Sequence, residues 1–132
     1  MRKEEKLEII NAISAQLEET PNFYIVDIAG LNAGKTHELR KACFEAGVQL
    51  VVSKNTLFTK VLEASENEEM MKLTEVLAGP TAIMYTVAPN APAKVIKKFH
   101  EKGNEKPVLK GAFVQDWPAF IGADKLDNLF AI

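Results

Sequence analysis

Cysteine is nearly absent from this chain of 132 residues, with Cys43 its one thiol. A single thiol closes no internal disulfide, and Cys43 with His37 and His100 offers too few ligands for a zinc site. The expectation is a reducing, cytosolic setting, with Cys43 a small helix residue beside Phe44. Long hydrophobic runs are missing too. No stretch approaches the roughly 20 apolar residues of a membrane span, and residues 1–6 are mixed in charge with no apolar leader core, so neither membrane insertion nor export is expected. Charge of one sign is also lacking. Sixteen basic residues against eighteen acidic ones leave a formal charge of −2. That balance excludes a body that wraps nucleic acid nonspecifically, and it confines any polyanion contact to a local patch. With no repeat, low-complexity tract or interdomain linker, residues 1–132 read as a single globular domain.

What is present is an alternation of helical and extended patterns. Leu7, Ile10, Ile13 (or Ser14) and Leu17 recur at helical spacing over 4–18, and Thr20-Pro21-Asn22 ends that helix. The run from Phe23 through Ile28 is aromatic and β-branched, as in a buried strand. Asn32 caps a second helix over 33–46, with Leu39, Ala42, Cys43 and Ala46 inward and Gly47 as its stop. A strand over 48–52 follows. Ser53 caps a third helix carrying Thr56, Leu57, Val61 and Leu62. Ser65-Glu66-Asn67-Glu68 is a capping box for a fourth helix, with Met70, Leu73, Val76 and Leu77 inward, stopped at Gly79-Pro80. A strand over 81–87 and a fifth helix from Asn90 to Gly103 come next, the helix burying Ala93, Val95 (or Ile96) and Phe99. The strand over 107–114 holds Gly111, which suggests a bulge or close backbone approach. Asp116-Trp117-Pro118 reads as a turn, and Leu126, Leu129 and Phe130 as a last helix. This order predicts an α/β (α+β) sandwich in two or three layers: one mixed sheet of about four to five strands flanked by helices.

One motif suggests catalysis. The segment Ala29-Gly30-Leu31-Asn32-Ala33-Gly34-Lys35-Thr36 satisfies a relaxed phosphate-loop pattern between a strand and a helix. In such a loop the Lys reaches terminal phosphates and the Thr holds magnesium. Yet Ala stands where the first Gly belongs, Asn32 serves equally as a helix cap, and the strand at Ala82-Ile83-Met84-Tyr85 runs into Thr86 and Val87 with no aspartate for magnesium. Small nucleotide-binding protein is therefore the weaker reading, and a helix start with exposed Lys35 the stronger. His37 and His100 sit in charged surroundings, as surface histidines do. Glu63, Glu66, Glu68 and Glu69 flank a helix start, where carboxylates favour the dipole. No catalytic residue, metal site or cofactor is assigned.

A second motif is more specific. Val51-Val52-Ser53-Lys54-Asn55-Thr56-Leu57 resembles the V-x-K-N-T-L signature of the bacterial ribosomal stalk-base family, large-subunit protein ten. Arg2-Lys3-Glu4-Glu5-Lys6 is similar to that family's opening, Asp27-Ile28-Ala29-Gly30-Leu31 to its D-x-x-G-L turn, and Glu38-Leu39-Arg40-Lys41-Ala42 to its E-L-R helix. Leu77-Ala78-Gly79-Pro80-Thr81-Ala82 matches its L-x-G-P-T-A passage, and Lys110-Gly111 its K-G-G strand with Ala112 replacing one glycine. These stretches follow family order along nearly the whole chain.

The resemblance implies a structural protein of the large ribosomal subunit, not an enzyme, that binds rRNA at the GTPase-associated centre beside the neighbouring ribosomal protein eleven. It implies as well that a C-terminal helix, absent from this chain, carries the acidic stalk dimers. A ribosome-assembly factor of the same fold at the same rRNA site is the alternative. The candidate rRNA-binding residues are Arg2, Lys3, Ser53, Lys54, Asn55, Thr56 and Lys60. Residues 53–56 fall at a strand-to-helix junction, where free amides and the helix dipole favour a phosphate. Lys54 adds charge, and Asn55 and Thr56 add hydrogen-bonding groups for backbone or unstacked bases. Where the family tends to carry two arginines, this chain has Thr59-Lys60, one cation fewer. Lys94, Lys97, Lys98, Lys102, Lys106 and Lys110 form a second basic group, which reads first as a solvated face.

Overall fold

The computed structural model describes residues 3–19, 22–28, 32–52, 55–64, 68–76, 81–103, 108–114 and 120–122, with Leu126 and Leu129, and gives the backbone alone at 55, 69, 75 and 76. The capping box at Ser65-Glu66-Asn67, the Gly79-Pro80 stop, the Asp116-Trp117-Pro118 turn, Leu77, Lys106 and Phe130 lie outside the described residues.

Helices α1 (Lys3–Glu19), α2 (Ala33–Glu45), α3 (Asn55–Ala64), α4 (Glu68–Lys72) and α5 (Ala91–Glu101) alternate with strands β1 (Asn22–Asp27), β2 (Gln49–Val51), β3 (Ala82–Thr86), β4 (Val108–Phe113) and β5 (Phe120–Ile121). A 3-10 turn, Leu73–Val76, continues α4. The five strands form one sheet in the order β2-β3-β1-β4-β5. The α+β class expected from the alternation is the one observed, but the sheet is antiparallel at every pairing, not mixed. The reason is topological. Strands β1 and β2, joined through α2, run parallel to each other with β3 inserted between them, and β3 and β4, joined through α5, are likewise split by β1. Two interleaved split βαβ units give antiparallel neighbours throughout, the arrangement of ferredoxin-like folds.

Helices cover both faces, which makes three layers. Along β1, Tyr24 and Val26 face α2 and α5, joining Leu39, Cys43, Met84, Ala93, Ile96 and Phe99 in one core. Phe23 and Ile25 face α1 and α3, joining Ile13, Phe58, Val61, Leu62, Leu73, Ile83 and Phe113 in the other. A strand buried on both sides must be apolar at every position, which is why β1 reads as a continuous run.

The expected bulge is present. Ile25 pairs with Gly111 while the next residue, Val26, pairs with Leu109, so Lys110 is the extra residue in β4. Its carbonyl accepts a hydrogen bond of 3.0 Å from the Gly122 amide. The bulge resets the alternation: Leu109 shares a face with Ala112 and Val114, and Phe113 turns to the other.

Some inward positions differ from the periodic reading. Leu7 is exposed; buried Ile13 and half-buried Ile9, Ile10 and Leu17 make the inward stripe of α1. In α3, Thr56 is exposed and Phe58 fully buried. Phe58 meets Phe23 edge-on, with ring centroids 5.4 Å apart, and Phe23 stacks on Phe113 across the β1–β4 pair at 5.5 Å.

Candidate nucleic-acid interface

The two strand-to-helix junctions singled out in the sequence are built differently. At the start of α2 the Asn32 side-chain oxygen accepts the Lys35 amide at 2.8 Å, and the Thr36 amide bonds the Asn32 carbonyl at 2.9 Å. These are amides that a phosphate would need, and they are already taken by the cap. The Lys35 ammonium lies 3.8 Å from the Glu38 carboxylate on an exposed helix surface. At the end of β3, where a magnesium-binding aspartate belongs, the Thr86 hydroxyl donates to the Ala88 carbonyl at 2.8 Å. Residues 29–31 lie outside the described residues, and what is described of this segment is a helix start and not a phosphate cradle.

The second junction leads into α3. Ser53, Lys54 and Arg2 lie outside the described residues, as does the side chain of Asn55, whose backbone opens the helix. Leu57, Phe58, Val61 and Leu62 are buried against the sheet, and Thr56 and Lys60, one turn apart, are exposed. The buried stripe therefore fixes which way Thr56 and Lys60 point. Lys3 is exposed at the start of α1, which packs beside α3 in the same layer. Lys3, Thr56 and Lys60 thus belong to one helical layer, on the opposite side of the sheet from Lys35.

The basic group on α5 has a different setting. Lys94, Lys98 and Lys102 are exposed, and Lys102 Nζ sits 6.0 Å from the centre of the Phe99 ring. The groove between α5 and α2 also carries Glu38 and Glu45, interspersed with Lys35 and Lys41. A mixed-charge face attracts a polyanion less than an unopposed one of the same cation number.

His37 and His100 are exposed. Cys43 is wholly buried, and burial pushes its thiol up to about 12, so it stays protonated at neutral pH. Among the described residues no three of His, Cys, Asp and Glu gather as a metal site, and no helix is long and apolar enough to cross a membrane.

Comparison with known proteins decides the family. The family described as Ribosomal protein L10 matches residues 1–101. The chain belongs to the ribosomal protein L10 family. Among its relatives, the large ribosomal subunit protein uL10 of Christiangramia forsetii is 52% identical over 132 residues, covering 100% of this chain and 75% of the relative. The uL10 of Flavobacterium johnsoniae is 48% identical, with 100% of this chain and 77% of the relative covered. That of Rubrobacter xylanophilus is 37% identical over 115 residues, covering 87% of this chain and 63% of the relative. As a member of this family the chain is a structural protein of the large ribosomal subunit, placed with the ribosome in the cytoplasm, and not an enzyme.

The sequence reading missed β5 and the outward position of Phe44. β5 is two residues long and gives no alternation to detect. The inner stripe of α2 needs only Leu39 and Cys43, and that narrowness was the available signal that Phe44 turns outward.

Proposed function

We propose that this domain anchors its protein to large-subunit rRNA at the GTPase-associated centre, beside ribosomal protein eleven, and forms the base of the acidic stalk. The stalk dimers attach through a C-terminal segment beyond residue 132. The observation that carries the anchor is the position of the Lys54-Asn55-Thr56 motif. It leads into a helix whose inner face is locked into an aromatic core, with Thr56 and Lys60 held outward. A helix start offers unsatisfied amides and a positive dipole end to a phosphate, and Lys54 supplies the charge. Asn55 and Thr56 supply hydrogen bonds to backbone or to unstacked bases. Lys3 adds a cation from the opening of α1, and Arg2 precedes it in the sequence. With a formal charge of −2 on the whole chain, binding comes from this patch and not from a general basic field.

The test is a titration of an rRNA fragment spanning the GTPase-associated centre, with protein eleven present, against an unrelated structured RNA of equal length. The expected result is preference for the first, with a shallow salt dependence of about one unit per cation engaged, hence about four from Arg2, Lys3, Lys54 and Lys60. Equal affinity for the two RNAs contradicts the proposal.

A further inference from the structure

We infer that the outer face of α2 is a second RNA contact, in which Phe44 stacks on an unpaired base and Arg40 engages the adjoining phosphate. This inference rests on the rRNA-anchor reading and extends it to a surface outside the Lys54 motif.

Phe44 is the observation that asks for a partner. Its side chain is 84% exposed, in a protein whose Phe23 and Phe58 are wholly buried. Its surroundings name the chemistry. Arg40 lies one turn before it and His37 two turns before, both exposed on the same stripe. Lys41 is exposed on the adjacent flank, where it lines the groove with α5 together with Glu38 and Glu45. An aromatic that serves as a protein hot spot sits among apolar neighbours in a patch depleted of charge. Phe44 instead stands apart from other aromatics with Arg40 and Lys41 on the preceding turn, the combination that stacks a base and holds its backbone.

The stripe lies across the sheet from Thr56 and Lys60, and the strand that leads to the anchor joins the two. The helix ends in a Schellman turn at Gly47, with the Val48 amide on the Cys43 carbonyl at 2.7 Å, and β2 then runs back along α2. Four steps of strand from Val48 to Val52 cover about 13 Å, the length of roughly nine helical residues. Along the helix axis, Val52, which precedes the motif, is thus about level with His37. An RNA strand that engages both passes around the β2 edge of the sheet to reach Arg40 and Phe44.

The test measures binding of the GTPase-associated rRNA fragment to the chain, with and without protein eleven, for Phe44→Ala, Phe44→Tyr, Phe44→Leu and Arg40→Ala. Phe44→Ala is expected to weaken binding roughly 5- to 100-fold with an unchanged salt slope, because stacking is lost and no counterion is involved. Phe44→Tyr keeps affinity and Phe44→Leu does not, since leucine is apolar but has no ring face. Arg40→Ala lowers the salt slope by about one unit. A single abasic nucleotide in the fragment removes the difference between wild type and Phe44→Ala. Wild-type RNA affinity for Phe44→Ala alongside a weakened Lys54→Ala overturns this inference and leaves the anchor standing. Wild-type affinity for both removes the anchor reading as well. A Phe44→Ala loss seen only with protein eleven present assigns the face to a protein partner and also overturns the inference.

Discussion

The two helical layers of this sandwich are built from different materials. Beneath α1 and α3, three phenylalanines interlock: Phe23 stacks on Phe113 and meets Phe58 edge-on. Beneath α2 and α5 the contacts are mostly aliphatic or small, with Leu39, Cys43, Ala82, Met84, Ala93 and Ile96 closing on Tyr24. An interlocked aromatic cluster tolerates little displacement, whereas small residues let helices come close to a sheet. The difference teaches a division of labour. The aromatic layer fixes the orientation of α3 and its outward Thr56 and Lys60. The other layer is closely packed underneath and carries its chemistry on the outer surfaces, on α2 above all.

The largest expected effect is on the aromatic side. Phe23→Ala removes the ring shared by both aromatic contacts and should cost about 3–5 kcal/mol in urea unfolding. A loss below about 1 kcal/mol would mean that the cluster is not the structural base of α3. On the other side, Tyr24→Phe keeps the packing but removes the hydroxyl that donates to the Pro89 carbonyl. That bond helps secure the turn before α5, together with the Asn22 side-chain amide on the Val87 carbonyl at 3.0 Å. Tyr24→Phe should cost about 1 kcal/mol, and up to about 3 if the carbonyl is left unsatisfied.

Cys43 gives a smaller, pH-dependent test of how dry the α2 layer is. Its thiol is raised from the ordinary value of 9.0 to about 12 by burial. The unfolded chain therefore loses this proton before the folded one does. The group's contribution to stability is whole below pH 9.0 and is lost as pH rises toward about 12. Wild type should lose more stability than Cys43→Ala between about pH 8 and 11. Parallel curves would show that the thiol is solvated.

Much of this construction was legible in the residues. The apolar run of β1, the Asn32 cap, the Gly47 stop and the irregularity beside Gly111 are local signals, and each is where its chemistry required. What was not legible depends on distant partners. The antiparallel sheet follows from β3 entering between β1 and β2, a choice that no local pattern encodes. Leu7 and Thr56 turn outward and Phe58 inward because the α1–α3 contact selects one of two neighbouring stripes on each helix. The candidate site was legible as a motif at 53–56, through resemblance more than charge, since the net charge argues against RNA. Periodicity could not show that Thr56 and Lys60 share an exposed stripe while Phe58 anchors the helix from below.

The smallest expected effect belongs to Lys35, and its contrast with Lys54 tests the central claim most directly. Lys35→Ala removes one exposed ion pair and should change stability by less than about 0.5 kcal/mol. The decisive measurement is the affinity of wild type, Lys35→Ala and Lys54→Ala for the GTPase-associated rRNA fragment at several salt concentrations, with protein eleven present. The account predicts that Lys54→Ala binds more weakly with a salt slope lower by about one unit, and that Lys35→Ala matches wild type in both. Unchanged binding by Lys54→Ala, with the loss falling on Lys35→Ala, would contradict it.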